Sequence, residues 1–281
     1  MGPRAQTRWT ATGKARRRDA PGVPTVTVDG TDLRYEVEGR EGRAAVAFVP
    51  DVGVGPWLWG WQAPALASHY RTLVYAQRGT GRSDTTGPYS VDRFAADLEA
   101  VLADAGVERV HLVGAGLGGM VALRYARAYG RARSLSLFGA AASGDRVDAE
   151  ALEFLHPDEP TRLRESLSLA FTDRYLSEAG VLDDVVRWRR EEDAVGGALA
   201  GHREAALGFE AHALHEVERP ALVCHGIDDP VVPAGVGQDL AAALPSGRFE
   251  AVEGKRFCFL EHAAAVTDAV AGFLDRHTAG D

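Results

Sequence analysis

The sharpest chemical signal in the chain is a glycine-rich turn, Gly114-Ala115-Gly116-Leu117-Gly118-Gly119, between the apolar run VHLVGA and a helix-like segment LGGMVALRYARAYG. Glycines at such a strand-to-helix turn let the backbone take conformations closed to other residues and aim helix N–H groups at a ligand. Gly114, Gly116 and Gly119 match the spacing of a dinucleotide fingerprint. The acidic residue that should end a following strand about 20 residues later is missing, so no nicotinamide cofactor is expected. The nine histidines are scattered and the two cysteines, Cys224 and Cys258, lie far apart, so no metal site is expected. Lys14 and Lys255 are the only lysines, which sets apart the adjacent cations Lys255 and Arg256. Three tryptophans, Trp57, Trp59 and Trp61, follow a buried-strand pattern and are expected either to wall an aromatic pocket or to fill the core.

The elements that must position these residues alternate along the chain. TVTV and LRYEVEG read as an antiparallel entry, followed by the buried runs AVAFVP, TLVYAQ, VHLVGA, SLSLFGA and ALVCHG. Between them lie helical patterns, such as VDRFAADLEAVLADAG with Phe94, Leu98, Val101 and Leu102 on one face. A doubly wound, mostly parallel sheet follows from this alternation. The rhythm breaks between residues 141 and 217, where DEPTRLRESLSLAF and VVRWRREEDAVGGAL are charged and helical, and a helical cap over the sheet is expected there. The expected division is a basic, disordered arm at 1–21, a core at 22–140 and 218–281, and the cap at 141–217.

Four segments together resemble the α/β-hydrolase superfamily: the turn just described, AQRGTGRSD, HGIDDPVVP and GKRFCFLEH. In that family the turn is Gly-x-Ser-x-Gly, with the nucleophile at its centre. The resemblance implies that Gly116 stands on the serine position, Asp229 on the triad acid and Arg256 on the histidine, with Lys255 on the glycine before it. Arginine stays protonated and is no ordinary general base. Losing either nucleophile or base from a triad costs about six orders of magnitude in kcat, so a Ser-His-Asp hydrolase is not expected. The resemblance further implies oxyanion-hole donors at the N–H groups of Leu117 and, in the loop after AVAFVP, Val52. The family's His-Gly is replaced there by Pro50 and Asp51.

Glycine at the turn is expected to enlarge the pocket floor. An ion pair between Asp229 and Arg256 is expected, either structural or holding an enolate or phenolate. Asp51, Gln77, Lys255, Phe257 and the cap residue His202 are the further candidates for contact with a substrate; His202 as a surface residue is the plainer alternative. Arg78 with Asp84 is expected to brace the turn, and Glu261 and His262 to be structural. The leading expectation is a cofactor-independent, non-hydrolytic enzyme of bacterial natural-product metabolism. It would promote addition, cyclisation or C–C bond formation on an aromatic or polyketide-like carbonyl compound. The rivals are a catalytically dead receptor or carrier, and a hydrolase whose nucleophile is Cys258 or a water activated by Asp229 or Asp51.

Composition sets the outer limits. With 281 residues, 46% of them hydrophobic, the chain has enough apolar surface for one large core. A net charge of -9 gives no footprint for nucleic acid. No apolar run approaches the roughly 18 residues of a membrane helix. A soluble, cytoplasmic protein with a small, apolar or aromatic substrate is expected; a homodimer is left open.

Overall fold

The computed structural model describes residues 23–177 and 180–278. The expected basic arm at 1–21 lies outside the described residues. The strands are β1 Thr25–Val28, β2 Thr31–Glu38, β3 Ala45–Val49, β4 Arg71–Tyr75, β5 Val110–Ala115, β6 Ala132–Phe138, β7 Ala221–Gly226 and β8 Gly247–Val252. They form one sheet in the order β1-β2-β4-β3-β5-β6-β7-β8. β1 with β2 and β2 with β4 are antiparallel, and every later pair is parallel. Every residue of β3, β5 and β7 is buried, which is why these strands are continuous apolar runs rather than alternating ones.

The helices are α1 Gln62–Leu66, α2 Val91–Asp104, α3 Leu117–Ala128, α4 Ala149–Leu155, α5 Leu163–Ser166, α6 Asp173–Leu176, α7 Val181–Glu192, α8 Gly196–Leu207, α9 Ala234–Ala243, α10 Cys258–Glu261 and α11 Ala263–Thr278. α2 starts where Ser90 Oγ accepts from the Arg93 N–H, an N-cap that satisfies one orphan donor. Its expected face, Phe94, Leu98, Val101 and Leu102, is fully buried, each side chain worth roughly 1.5–3 kcal/mol in removed apolar surface. α4 to α8 form the helical insertion between β6 and β7, where the sequence shows charged helical periodicity without a buried strand.

Arg78 braces the fold through a different partner from the one expected. Its guanidinium is forked onto Asp97 of α2, at 2.6 and 2.8 Å, and not onto Asp84, which accepts from the Asp32 N–H. The helical face of α2 therefore carries one buried carboxylate that the apolar pattern hides. No helix among the described residues is long and apolar enough to cross a membrane.

Candidate functional site

The site lies where β5 turns into α3. Gly116 has φ +47°, in the region that glycine occupies without strain. Its neighbour Gly118 is needed for another reason: a Cβ there would stand 2.1 Å from the Val49 carbonyl, so only glycine lets α3 start this close to β3. The Leu117 N–H at the head of α3 and the Val52 N–H after β3 both point at one oxygen. That oxygen is Asp51 Oδ1, at 3.0 and 2.7 Å.

Asp51 Oδ2 is held by Arg256, with Nε at 3.0 Å and Nη2 at 2.9 Å. Arg256 Nη1 donates to the Gly139 carbonyl at 2.6 Å and to Asp229 Oδ2 at 3.1 Å. Asp229 Oδ1 in turn accepts from the Val231 and Val232 N–H groups. One guanidinium thus bridges two carboxylates, and all three side chains are buried. Burial alone would raise the Asp51 carboxyl, but Arg256 beside it, with help from the two N–H donors, holds it below the usual carboxylate range. Burial works against the Arg256 charge too, yet Asp51 and Asp229 keep its pKa above the ordinary value.

The space left by Gly116 is not open. A Cβ on it would lie 1.8 Å from Asp51 Oδ1 and 2.3 Å from Arg256 Nη2. The expectation that glycine enlarges a pocket floor is therefore corrected: an internal carboxylate and its counter-ion fill that volume. Leu117 and Arg256 converge not on a cavity but on the Asp51 carboxylate, and Asp229 reaches it only through Arg256. Two surface grooves lie elsewhere, one of about 520 Å³ beside Asp145, Asp148 and Asp239 and one of about 410 Å³ beside Arg164, Arg187 and Arg190.

The other candidates separate clearly. Lys255 turns away, giving Nζ to the Ser168 carbonyl at 2.8 Å, so the pair of adjacent cations does not act together. His202 is neither on the surface nor free to act. Its Nε2 donates to the Arg78 carbonyl at 2.8 Å and its Nδ1 accepts from the Gly53 N–H at 3.1 Å, and burial lowers its pKa to about 4. Trp59 is core, 5.2 Å from Phe259 and 5.3 Å from Phe48 between ring centres. Trp57 and Trp61 meet Trp188 of α7 at 6.3 and 5.6 Å, and Phe257 lies 6.4 Å from Trp57, so these rings seal the insertion onto the loop. Gln77 is buried beyond the end of β4, and both its amide atoms lack a hydrogen bond. Burial and the nearby Asp229 push the Cys258 thiol up to about 12, which disfavours the thiolate that a nucleophile needs. Glu261 is structural as expected, receiving the Thr172 N–H at 3.1 Å and the Thr172 hydroxyl.

Two groups escape a reading of the sequence. The first is an acidic clasp at the end of α7. Glu192 Oε2 accepts from the Trp57 N–H at 2.9 Å, and Asp193 Oδ1 accepts from the Gly55 N–H and Trp57 Nε1 at 3.0 and 2.7 Å. Burial, with the negative charge of Asp193 next to it, pushes Glu192 up to about 7 despite the Trp57 hydrogen bond. The second is His156, just after α4 and wholly buried. Both stand in charged stretches that read as solvated helix faces, and no spacing in the sequence singles them out.

Residues 46–269 match the model of the alpha/beta hydrolase family. The chain belongs to this family. A provisionally named carbamate hydrolase, RutD, of Stutzerimonas stutzeri is 30% identical over 251 residues, covering 84% of this chain and 92% of the relative. A 2-hydroxy-6-oxononadienedioate/2-hydroxy-6-oxononatrienedioate hydrolase of Paraburkholderia phymatum is 30% identical over 242 residues, covering 78% of this chain and 83% of its own length. The enol-lactonase of Burkholderia xenovorans LB400 shares the fold, with TM-score 0.81 at 23% identity over 90% of this chain and 100% of that one. These relatives are named as hydrolases. They overturn the expectation of a non-hydrolytic, bond-forming enzyme of natural-product metabolism. The rival expectation of a vacated ligand pocket meets the filled volume at Gly116.

Proposed function

We propose that this protein shares the hydrolytic class of its relatives, and that it works without a serine acyl-enzyme, with Asp51 as the general base that activates water. Gly116 takes the place of the family's nucleophile and Arg256 that of its histidine, so neither can form or resolve an acyl intermediate. One observation carries the reading: the Asp51 carboxylate stands in the volume where a side chain on the turn would begin, on the two N–H groups that would hold an oxyanion. The substrate class is a small carbonyl compound of the ester, lactone or carbamate type.

The steps follow from the groups present. The substrate oxygen takes the place of Asp51 Oδ1 on the Leu117 and Val52 N–H groups, and the carboxylate rotates to face water. Asp51 removes a proton as the water oxygen attacks the carbonyl carbon, and the negative charge that develops rests on the two N–H groups. The protonated Asp51 then returns the proton to the departing oxygen or nitrogen, giving acid and alcohol or amine. Arg256 keeps Asp51 ionised between turnovers, and Asp229 holds Arg256 in place. Because Asp51 is fully buried, entry requires the inserted helices, read as a cap over 141–217, to lift from the loop carrying Gly53 to Trp57.

The test is turnover of p-nitrophenyl acetate, γ-butyrolactone and a p-nitrophenyl carbamate by wild type and Asp51→Asn. The asparagine keeps the shape and leaves Arg256 neutralised by Asp229, so the variant folds. Expected are hydrolysis by wild type with no covalent adduct from a fluorophosphonate, and a loss of roughly 10²- to 10⁴-fold in Asp51→Asn. Absence of turnover on all three compounds, or turnover unchanged in Asp51→Asn, overturns the reading.

A further inference from the structure

His156 sits at the end of α4, enclosed, with Nδ1 3.3 Å from Arg189 Nη2. A guanidinium only donates, so Nδ1 is the acceptor and the ring proton is assigned to Nε2. Nε2 has no hydrogen-bond partner although it is buried. Buried donors in native proteins are nearly always paired, so an unpartnered one is a group able to bind an oxygen acceptor. Arg189 also ties this imidazole to the site already described. Its Nε donates to Asp193 Oδ2 at 2.8 Å, while Asp193 Oδ1 holds the Gly55 N–H of the loop that begins at Asp51. The charges of Asp51 and Arg256 both act on His156.

We propose that the Nε2–H of His156 is a substrate-binding donor, which hydrogen-bonds a carbonyl or carboxyl oxygen of the molecule seated beside Asp51. Burial first, and Arg189 second, hold the ring well below its ordinary pKa, so it stays neutral. A neutral imidazole with a fixed Nε2 proton polarises a carbonyl without adding a second buried cation next to Arg256. Arg189 is then a positioning residue, fixing ring orientation and tautomer. The inference rests on the hydrolytic reading for the location of the substrate, but not for any bond-breaking step.

Cyclopentanone, a carbonyl compound that cannot be hydrolysed, separates the two. It is titrated into ¹⁵N-labelled protein while the His156 ring nitrogens are followed by NMR. Expected are an Nε2-protonated neutral ring at pH 7 and a saturable shift of that nitrogen. His156→Leu should bind cyclopentanone roughly 2- to 10-fold more weakly, and His156→Gln, which keeps a donor, should lose less. A charged ring, an Nδ1-protonated ring, no binding by wild type, or equal binding by wild type and His156→Leu overturns the proposal. Binding that depends on His156 without ester turnover leaves the donor standing and removes only the hydrolytic reading. Should His156→Leu fail to fold, the tautomer and the His156→Gln titration still decide.

Discussion

Replacing Arg256 with leucine tests the charge balance of the site most directly. Among the described residues, Arg256 is the one cation between Asp51 and Asp229, with contacts of 2.9–3.1 Å to their oxygens. The cluster carries a net charge of -1; Arg256→Leu takes it to -2, with both carboxylates still enclosed. Breaking a buried pair from one side costs about 3–5 kcal/mol, which in a domain of this size lowers Tm by roughly 6–20 °C. The pH dependence fixes the cause. In wild type the Asp51 carboxyl is depressed, so its stabilisation is complete above its unfolded pKa and is lost only as pH falls through the lower folded value. Between pH 8 and 5 it adds no slope. Without Arg256 the same carboxyl is raised by burial, so the variant regains stability as pH falls, by at most about 1.4 kcal/mol per pH unit and proton. Guanidinium unfolding of wild type and Arg256→Leu at pH 8 and 5 measures both effects; groups away from Arg256 cancel in the difference, while His156 and His225, which Arg256 also depresses, shift in the same direction as Asp51. Adding Asp51→Asn should recover part of the loss, with a coupling of roughly 1–3 kcal/mol. A loss below about 1 kcal/mol, or the same loss at both pH values, would refute the reasoning.

Three further outcomes are expected. Gly116→Ser alone should destabilise the fold, by an amount like the roughly 1–3 kcal/mol of an overpacked core, because its Cβ would meet Asp51 Oδ1 at 1.8 Å; urea unfolding reads it, and a neutral result would mean that Asp51 moves freely. Glu192 has its folded pKa, about 7, above the unfolded 4.5, so its native form binds more protons between those values. The stability of wild type relative to Glu192→Gln should therefore rise by up to about 3 kcal/mol on acidification from pH 8 to 5, the buried histidines acting equally on both. Cys224 and Cys258 are both buried with their thiols raised by burial, so native protein should leave Ellman's reagent unreacted until denaturant is added; rapid labelling of either thiol would reopen Cys258 as a nucleophile.

The sheet was legible because parallel strands buried on both faces must be apolar throughout, and runs such as VHLVGA are hard to read otherwise. The turn was legible because Gly114, Gly116 and Gly118 are each required by backbone geometry. The pairing of Arg256 with Asp229 followed from the same frame. What stayed hidden is side-chain direction. Asp51 was named as a pocket residue, but nothing in Pro50-Asp51 tells that its carboxylate folds back onto the N–H of its own neighbour Val52 and across to Leu117. Lys255 and Arg256 adjoin in sequence and diverge in space, since one follows the loop toward Ser168 and the other turns inward. Long-range partners such as Arg78 with Asp97, Arg189 with His156 and Glu192 with Trp57 have no periodic signature at all.

Gly116, Asp51 and Arg256 are best understood as one unit. With Asp51 in its present rotamer, any side chain on residue 116 collides with it, so the glycine is a condition for the carboxylate. The carboxylate needs Arg256, because two N–H groups alone leave a full negative charge in a closed site. Both carboxylates and the Gly139 carbonyl contribute to offsetting the burial of Arg256. Changing Gly116 or Arg256 singly therefore produces a steric clash or an orphaned buried charge. Placing a serine at 116 would require Asp51 and Arg256 to move with it. In this unit Asp51 supplies, from inside the chain, the negative charge that the Leu117 and Val52 N–H groups hold.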